Sequence, residues 1–147
     1  MLLLAAIAPG PSATATARIY IEKRYGELNR AVSGMNADRI SKWMTENAAP
    51  KFYYRAGTGK FYSADQTVAL MRSEFNATES VKSSDYRMTN FSFHGHQAHC
   101  SVTSHLVVIL AGHKRVVSDS TSVDSWTQKN GKWKIDSIVT TGERQGG

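Results

Sequence analysis

Cysteine is almost missing from this chain: Cys100 stands alone among 147 residues. A single thiol closes no intrachain disulfide and builds no cysteine-based zinc site. Cys100 lies in a strand-like run, where it reads as a small core residue. Long hydrophobic runs are missing too. The N-terminal run, Leu2 to Ala8, covers seven residues before Pro9, Gly10 and Pro11 break it, far too short to span a bilayer. No repeat and no low-complexity tract follows residue 17. No glycine-rich phosphate loop follows a strand, no HExxH spacing occurs, and no nucleophile–base triad is legible, so no cofactor or metal is called for. The net charge of +6 comes without a basic stripe. Lys23, Arg39, Lys51, Arg55, Lys114 and Lys132 are scattered, which excludes the usual nucleic-acid footprint and leaves a mild attraction for anions.

What is present is a globular balance, 41% apolar and 20% charged, at a length that suits one domain. Residues 1–17 stand apart. After the apolar run, Ala13-Thr14-Ala15-Thr16-Ala17 offers small-x-small cleavage sites at Ala15 and Ala17, so the segment reads as an export signal, although its start carries no Lys or Arg. The alternative is a cytoplasmic tail. Residues 18–141 form the domain, and residues 142–147 read as a loose tail.

Helical spacing governs the first half. Ile21, Tyr25, Leu28, Val32 and Met35 recur at intervals of four and three, one face of a helix, with Lys23 and Glu27 as a polar pair. Asn36 reads as the N-cap of a second helix that carries Ile40, Trp43 and Met44. Phe52 to Arg55 reads as a strand, Ala56 to Gly59 as a turn and Lys60 to Tyr62 as the return strand. Ser63 with Gln66 forms a capping box that opens a third helix through Ala64, Val68, Met71 and Phe75. Asn76 to Ser84 reads as a polar loop. Strands then fill 85–93, 98–110, 115–128 and 133–141, joined by turns at His94-Gly95, Ala111-Gly112-His113 and Asn130-Gly131. The order α-α-β-β-α-β-β-β-β argues an α+β fold. Along 98–110 the apolar set Ala98, Cys100, Val102, Leu106, Val108 and Leu110 marks the face turned to the helices.

Three segments carry a family resemblance. They are Asn29 to Ile40, a helix, small-residue junction and second helix; Phe91 to Ala98, a strand, glycine turn and alanine-led strand; and Val123 to Ile135, in which aspartate and tryptophan precede a polar glycine turn and Trp-Lys-Ile. In this order they resemble the nuclear transport factor 2-like, or SnoaL-like, superfamily of cystatin-like folds over residues 18–141. The resemblance implies three helices packed on a strongly bent antiparallel sheet that forms a cone around an apolar pocket. Its members include isomerases, cyclases, dehydratases and proteins without catalysis, so the fold does not choose among them.

The ketosteroid isomerases of this fold use a carboxylate base with two hydrogen-bond donors for the enolate oxygen. By resemblance, the donor tyrosine falls on Leu28, one turn from Tyr25. The base falls on Arg55, beside Tyr54, and the second donor on Asp124. The base is thus absent. Asp124 shares strand parity with Ser118, Ser120, Ser122 and Trp126. Facing inward it would be desolvated, with a raised pKa and a capacity for proton transfer; facing outward it would be an ordinary solvated acid. Tyr25 is its candidate partner. Leu28, Trp43, Tyr54, Arg55, Val102, Ser120, Ser122 and Trp126 are the candidate pocket residues. His99 and His105 share a face but lie about 20 Å apart along a strand, too far for one ion. That face reads as the outer one, through which related folds dimerise, so a homodimer is the expected assembly. Two functions remain open: binding of a small apolar or amphipathic molecule (or a dimeric interaction role), and proton-transfer catalysis as an isomerase, cyclase or dehydratase.

Overall fold

The computed structural model describes residues 11–147. The apolar run Leu2–Ala8 lies outside the described residues. Helix α1 spans Pro11–Ser33, α2 Ala37–Asn47 and α3 Ala64–Asn76. Six strands form one sheet: β1 Ala48–Arg55, β2 Phe61–Tyr62, β3 Thr78–His94, β4 Gln97–Leu110, β5 Lys114–Lys129 and β6 Lys132–Gly146, in the order β2-β1-β6-β5-β4-β3. The architecture is three helices packed on a curled, open, mixed sheet, an α+β fold.

The expected helical stripe packs inward. Ile21, Tyr25, Leu28 and Val32 are buried, together with Ala17, one residue before the expected start of the helix, because α1 already begins at Pro11. Met35 leaves the stripe because the helix has already ended. Asn36 N donates to Ala31 O at 2.9 Å and Met35 N to Val32 O at 3.0 Å. These are the paired closing bonds of a Schellman motif. Met35 takes its left-handed position, φ 50°, which usually goes to glycine. Asn36 then caps α2 by accepting from Arg39 N at 3.0 Å, and Ser63 and Gln66 form the expected capping box on α3. Glu27 pairs with Arg24 at 3.0 Å and not with Lys23.

Three expectations need correction. The sheet is not wholly antiparallel: β1 runs parallel to β6, pairing Tyr54 with Ile138, because the two are joined not by a hairpin but through α3 and the rest of the meander. Residues 78–84 are not loop but the first half of β3, and β6 continues through Gly142–Gly146. Both stretches are polar and carry no alternation. They become strands because the long neighbours β4 and β5 present backbone groups that need partners: Ser84 pairs with Leu106 and Gly146 with Val117.

Regularity is unevenly spread. The β4–β5 ladder runs unbroken from Gln97↔Thr127 to Leu110↔Lys114. By contrast, β3 shifts register against β4 at three places and β6 against β5 at two. Such bulges bend a strand and raise its twist, which curls the sheet. They also reset which side chains face inward. The steps at Asp136 and Thr141 bring Ile135, then Ile138 and Thr140, then Glu143 to the inner face opposite Trp126, Asp124, Ser122 and Ser120.

Candidate functional site

The core is built on aromatic edges. Trp126, fully buried, packs edge-on against Tyr25 with centroids 5.8 Å apart and against Trp43 at 6.3 Å. Alternation along β5 places Asp124 one inner position further on, opposite Cys100 on β4 and Ile138 on β6. Helix α1 covers this position and supplies Tyr25.

Asp124 faces inward and is only 1% exposed. Its carboxylate accepts from the Tyr25 hydroxyl at 2.5 Å and from Ser122 Oγ at 2.7 Å. Trp126 Nε1 donates to the Tyr25 oxygen at 3.0 Å, and the Cys100 thiol lies 3.6 Å from it. The result is a relay from Trp126 through Tyr25 to Asp124, with Ser122 on the second carboxylate oxygen. Burial pushes Asp124 up to about 6, against the lowering effect of the two hydroxyl donors. Tyr25 is raised well above its ordinary value, first by burial and then by the Asp124 charge, so it stays a donor. Burial and the same charge push Cys100 up to about 12, so its thiol is not a nucleophile at neutral pH.

The two candidate proton-transfer residues are thus in contact. Ser122 joins them as a hydrogen-bond donor, a role its parity with Asp124 made legible. Leu28, Trp43, Val102 and Trp126 are buried packing residues around the relay. Tyr54 lies on the inner side of β1, stacked on Tyr62 with centroids 5.7 Å apart. Arg55 is not brought to the site: it projects from the other side of β1, its guanidinium 5.6 Å from the Phe61 ring centroid. Ser120 lies further along the inner face, its Oγ 2.7 Å from Ser104 Oγ.

Two hollows are open at the surface, and neither is lined by Asp124 or Tyr25. One, of about 450 Å³, lies between Asp85, Arg87, His105, Asp119 and Arg144, and Ser104, Glu143 and the candidate pocket residue Ser120 also line it. The other, of about 350 Å³, lies between the α1–α2 junction and α3, beside Asn36, Asp38, Arg72 and Phe75. His99 and His105 lie on the outer face, bonded to Ser125 at 3.0 Å and Asp119 at 2.6 Å. Among the described residues no three His, Cys, Asp or Glu side chains converge as a metal site. No described helix is long and apolar enough to cross a membrane.

Glu74 and Glu143 were missed by sequence reasoning. Glu74 lies in the last turn of α3, and Glu143 in a segment that reads as tail. Their charges raise the Tyr54 hydroxyl, after the larger effect of its burial, and Glu74 and Asp124 act in the same sense on Tyr86 of β3. The helical period could have placed Glu74 one residue before Phe75. Nothing in the sequence marks the bulge that sets Glu143 opposite Ser120.

No family model matches the chain, and no curated protein sequence does. Its shape, however, is widely shared. A conserved protein from Planctomyces limnophilus is similar with a TM-score of 0.73 at 7% identity, over 85% of this chain and 94% of that one. A type 2 hexachlorocyclohexane dehydrochlorinase, LinA, is similar at 0.69 and 10% identity, over 90% of each chain. An NTF2-like protein from Cytophaga hutchinsonii is similar at 0.66 and 12% identity, over 85% of this chain and 97% of that one. At such identities the likeness establishes the fold, the nuclear transport factor 2-like cone, and leaves function to the site.

Proposed function

We propose that this chain is a ligand-binding domain whose cone holds a small amphipathic molecule, with the Tyr25–Asp124 relay as part of its frame. The observation that carries this reading is the closure of the relay. Asp124 is sealed from solvent, and its two oxygens already receive Tyr25 and Ser122. A general acid or base needs a reacting atom within hydrogen-bond reach, and this carboxylate is occupied by its own neighbours. Beyond the relay, the inner face turns to partly accessible hydroxyls and tyrosines, Ser120, Ser104, Tyr54 and Tyr86. A pocket of apolar walls with a few polar groups is what an amphipathic ligand needs. Native mass spectrometry of the protein taken from its own host tests this. A discrete small molecule that leaves on denaturation is expected; a ligand-free protein overturns the reading. The same spectrum reports the assembly, for which we propose a homodimer through the outer sheet face, and the N-terminus. For the latter we propose export with cleavage at Ala15, which keeps the buried Ala17 in place. A chain starting at Met1 overturns that part.

A second reading is supported by a different observation. A carboxyl held at about 6 and bonded to a tyrosine is tuned for proton transfer near neutrality, and the similar LinA is a dehydrochlorinase, an elimination that needs a base. In this reading the ligand displaces Tyr25 from Asp124. Turnover of an enolisable ketone or a chlorinated cyclohexane that Asp124→Asn abolishes would favour it over pure binding. Turnover undiminished in that variant rules it out.

A further inference from the structure

The outer sheet face carries its charges in a fixed order. The strand registers set Asp85, His105, Asp119 and Arg144 in one row across β3, β4, β5 and β6. Across the sheet the row runs acid, imidazole, acid, guanidinium, and all four side chains are open to solvent. The two central ones are bonded, His105 Nδ1 to Asp119 Oδ1 at 2.6 Å. Asp85 meets Arg87, two residues along its own strand, at 3.2 Å. Arg144 makes no ion pair among the described residues. It cannot reach Asp85 of its own chain, because three strand spacings, roughly 14 Å, separate them.

One row further along the strands, Arg87, Thr103, Thr121 and Gly142 lie side by side. Here a long side chain stands at one end and none at the other. Arg87 is 74% exposed, and a Cβ on Gly142 would meet nothing within 4 Å. The hollow of about 450 Å³ is lined by all eight residues of the two rows.

Reversal makes both rows complementary to themselves. Two copies laid face to face about a two-fold axis that runs along the strands, between β4 and β5, set β3 against β6 and β4 against β5. Asp85 then stands over Arg144 of the second copy, and His105 over its Asp119. Arg87 stands over Gly142 of the second copy, the long side chain against the gap. A two-fold axis across the strands does the opposite: it sets Asp85 on Asp85 and Arg144 on Arg144, and like charges so placed repel. Facing sheets also keep their strands within about 30° of one another, which suits the axis along the strands. Val123, 41% exposed and the next outer position of β5 after Thr121, lies beside that axis, where a second copy covers it.

We propose that the outer face closes on a second copy of this chain in this orientation, with Asp85 pairing to Arg144 and Arg87 entering the Gly142 gap across the interface. The proposal rests on the homodimer reading and gives that dimer its axis and its contacts. Such an interface is isologous, so each contact is made twice.

Sedimentation of the full-length protein over a concentration series tests it. Asp85→Arg and Arg144→Asp should each weaken the dimer by about tenfold or more, since each sets like charges opposite one another. The double variant should return the dimer to near wild-type strength. Within one chain the two positions are too far apart to answer each other, so the rescue requires two copies, and a structural role for either residue would not produce it. Gly142→Leu should weaken the dimer at least as much by filling the gap. The backbone of Gly142 is not left-handed and the space above it is open, so circular dichroism should show an unchanged fold. A dimer unmoved by Gly142→Leu, single charge variants that dimerise as the wild type does, or a double variant without rescue each overturn this orientation and leave the homodimer reading standing. A wild-type chain that sediments as a monomer throughout removes both.

Discussion

The two ends of the cone handle buried polarity in opposite ways. Under α1, Asp124, Tyr25, Ser122 and Trp126 answer one another, and the group is enclosed by Ile21, Leu28, Trp43 and Ile135. Beside α3, Glu74, Glu143 and Tyr86 remain open to solvent on one side and have no partners of opposite charge. A satisfied network rigidifies a core, whereas unmet charge destabilises the free protein and is relieved by a ligand.

The largest effect that would break the contrast is loss of the shared ring. Trp126→Ala removes the side chain that packs against both Tyr25 and Trp43, and should cost about 3–5 kcal/mol in urea denaturation. A smaller loss would mean that the deep end is looser than its packing indicates.

Next comes the pH response of Asp124. Its folded pKa, about 6, lies above the ordinary aspartate value of 3.8. The folded state therefore holds the proton more tightly, and the stabilisation is fully present below pH 3.8 and lost as pH rises through about 6. The ionised carboxylate then costs the fold up to about 3 kcal/mol. Asp124→Asn should flatten this part of the stability profile; an unchanged slope in the variant would assign it to other groups.

Tyr25→Phe should cost about 1–3 kcal/mol, because it strands the Trp126 N–H and one Asp124 oxygen. It should also move the Asp124 titration further up, seen by carboxyl NMR, since the tyrosine hydroxyl is the larger of the two lowering contacts. The smallest effect belongs to the open end and has the opposite sign. Glu74→Gln should raise stability by about 0.3–1 kcal/mol by removing a charge from a helix C-terminus. Destabilisation there would mean that Glu74 is part of the frame after all.

Local chemistry was legible wherever a residue's role depends on near neighbours in the chain. The α1 stripe, the Asn36 cap, the Ser63–Gln66 box and the Asn130-Gly131 turn (φ 54° and 74°) all follow from spacing or turn preference. The Tyr25–Asp124 contact was half legible. Helical period and strand parity point both residues inward, but a contact across 99 positions needs the sheet to curl beneath α1. Arg55 shows the limit of transferring a position by resemblance: alternation sends its side chain to the opposite face from Tyr54.

The sequence alone determined the class of fold, the helices and their caps, and the inner faces of β4 and β5, because helical and strand periods are written in consecutive residues. The tertiary structure decided the rest. Polar stretches at 78–84 and 142–146 became strands because a neighbouring backbone needed them. Single-residue bulges in β3 and β6 chose which acids face the cone. Burial beneath α1 turned an aspartate into a group that titrates near neutrality, a property set by the atoms packed around it and by the water they exclude.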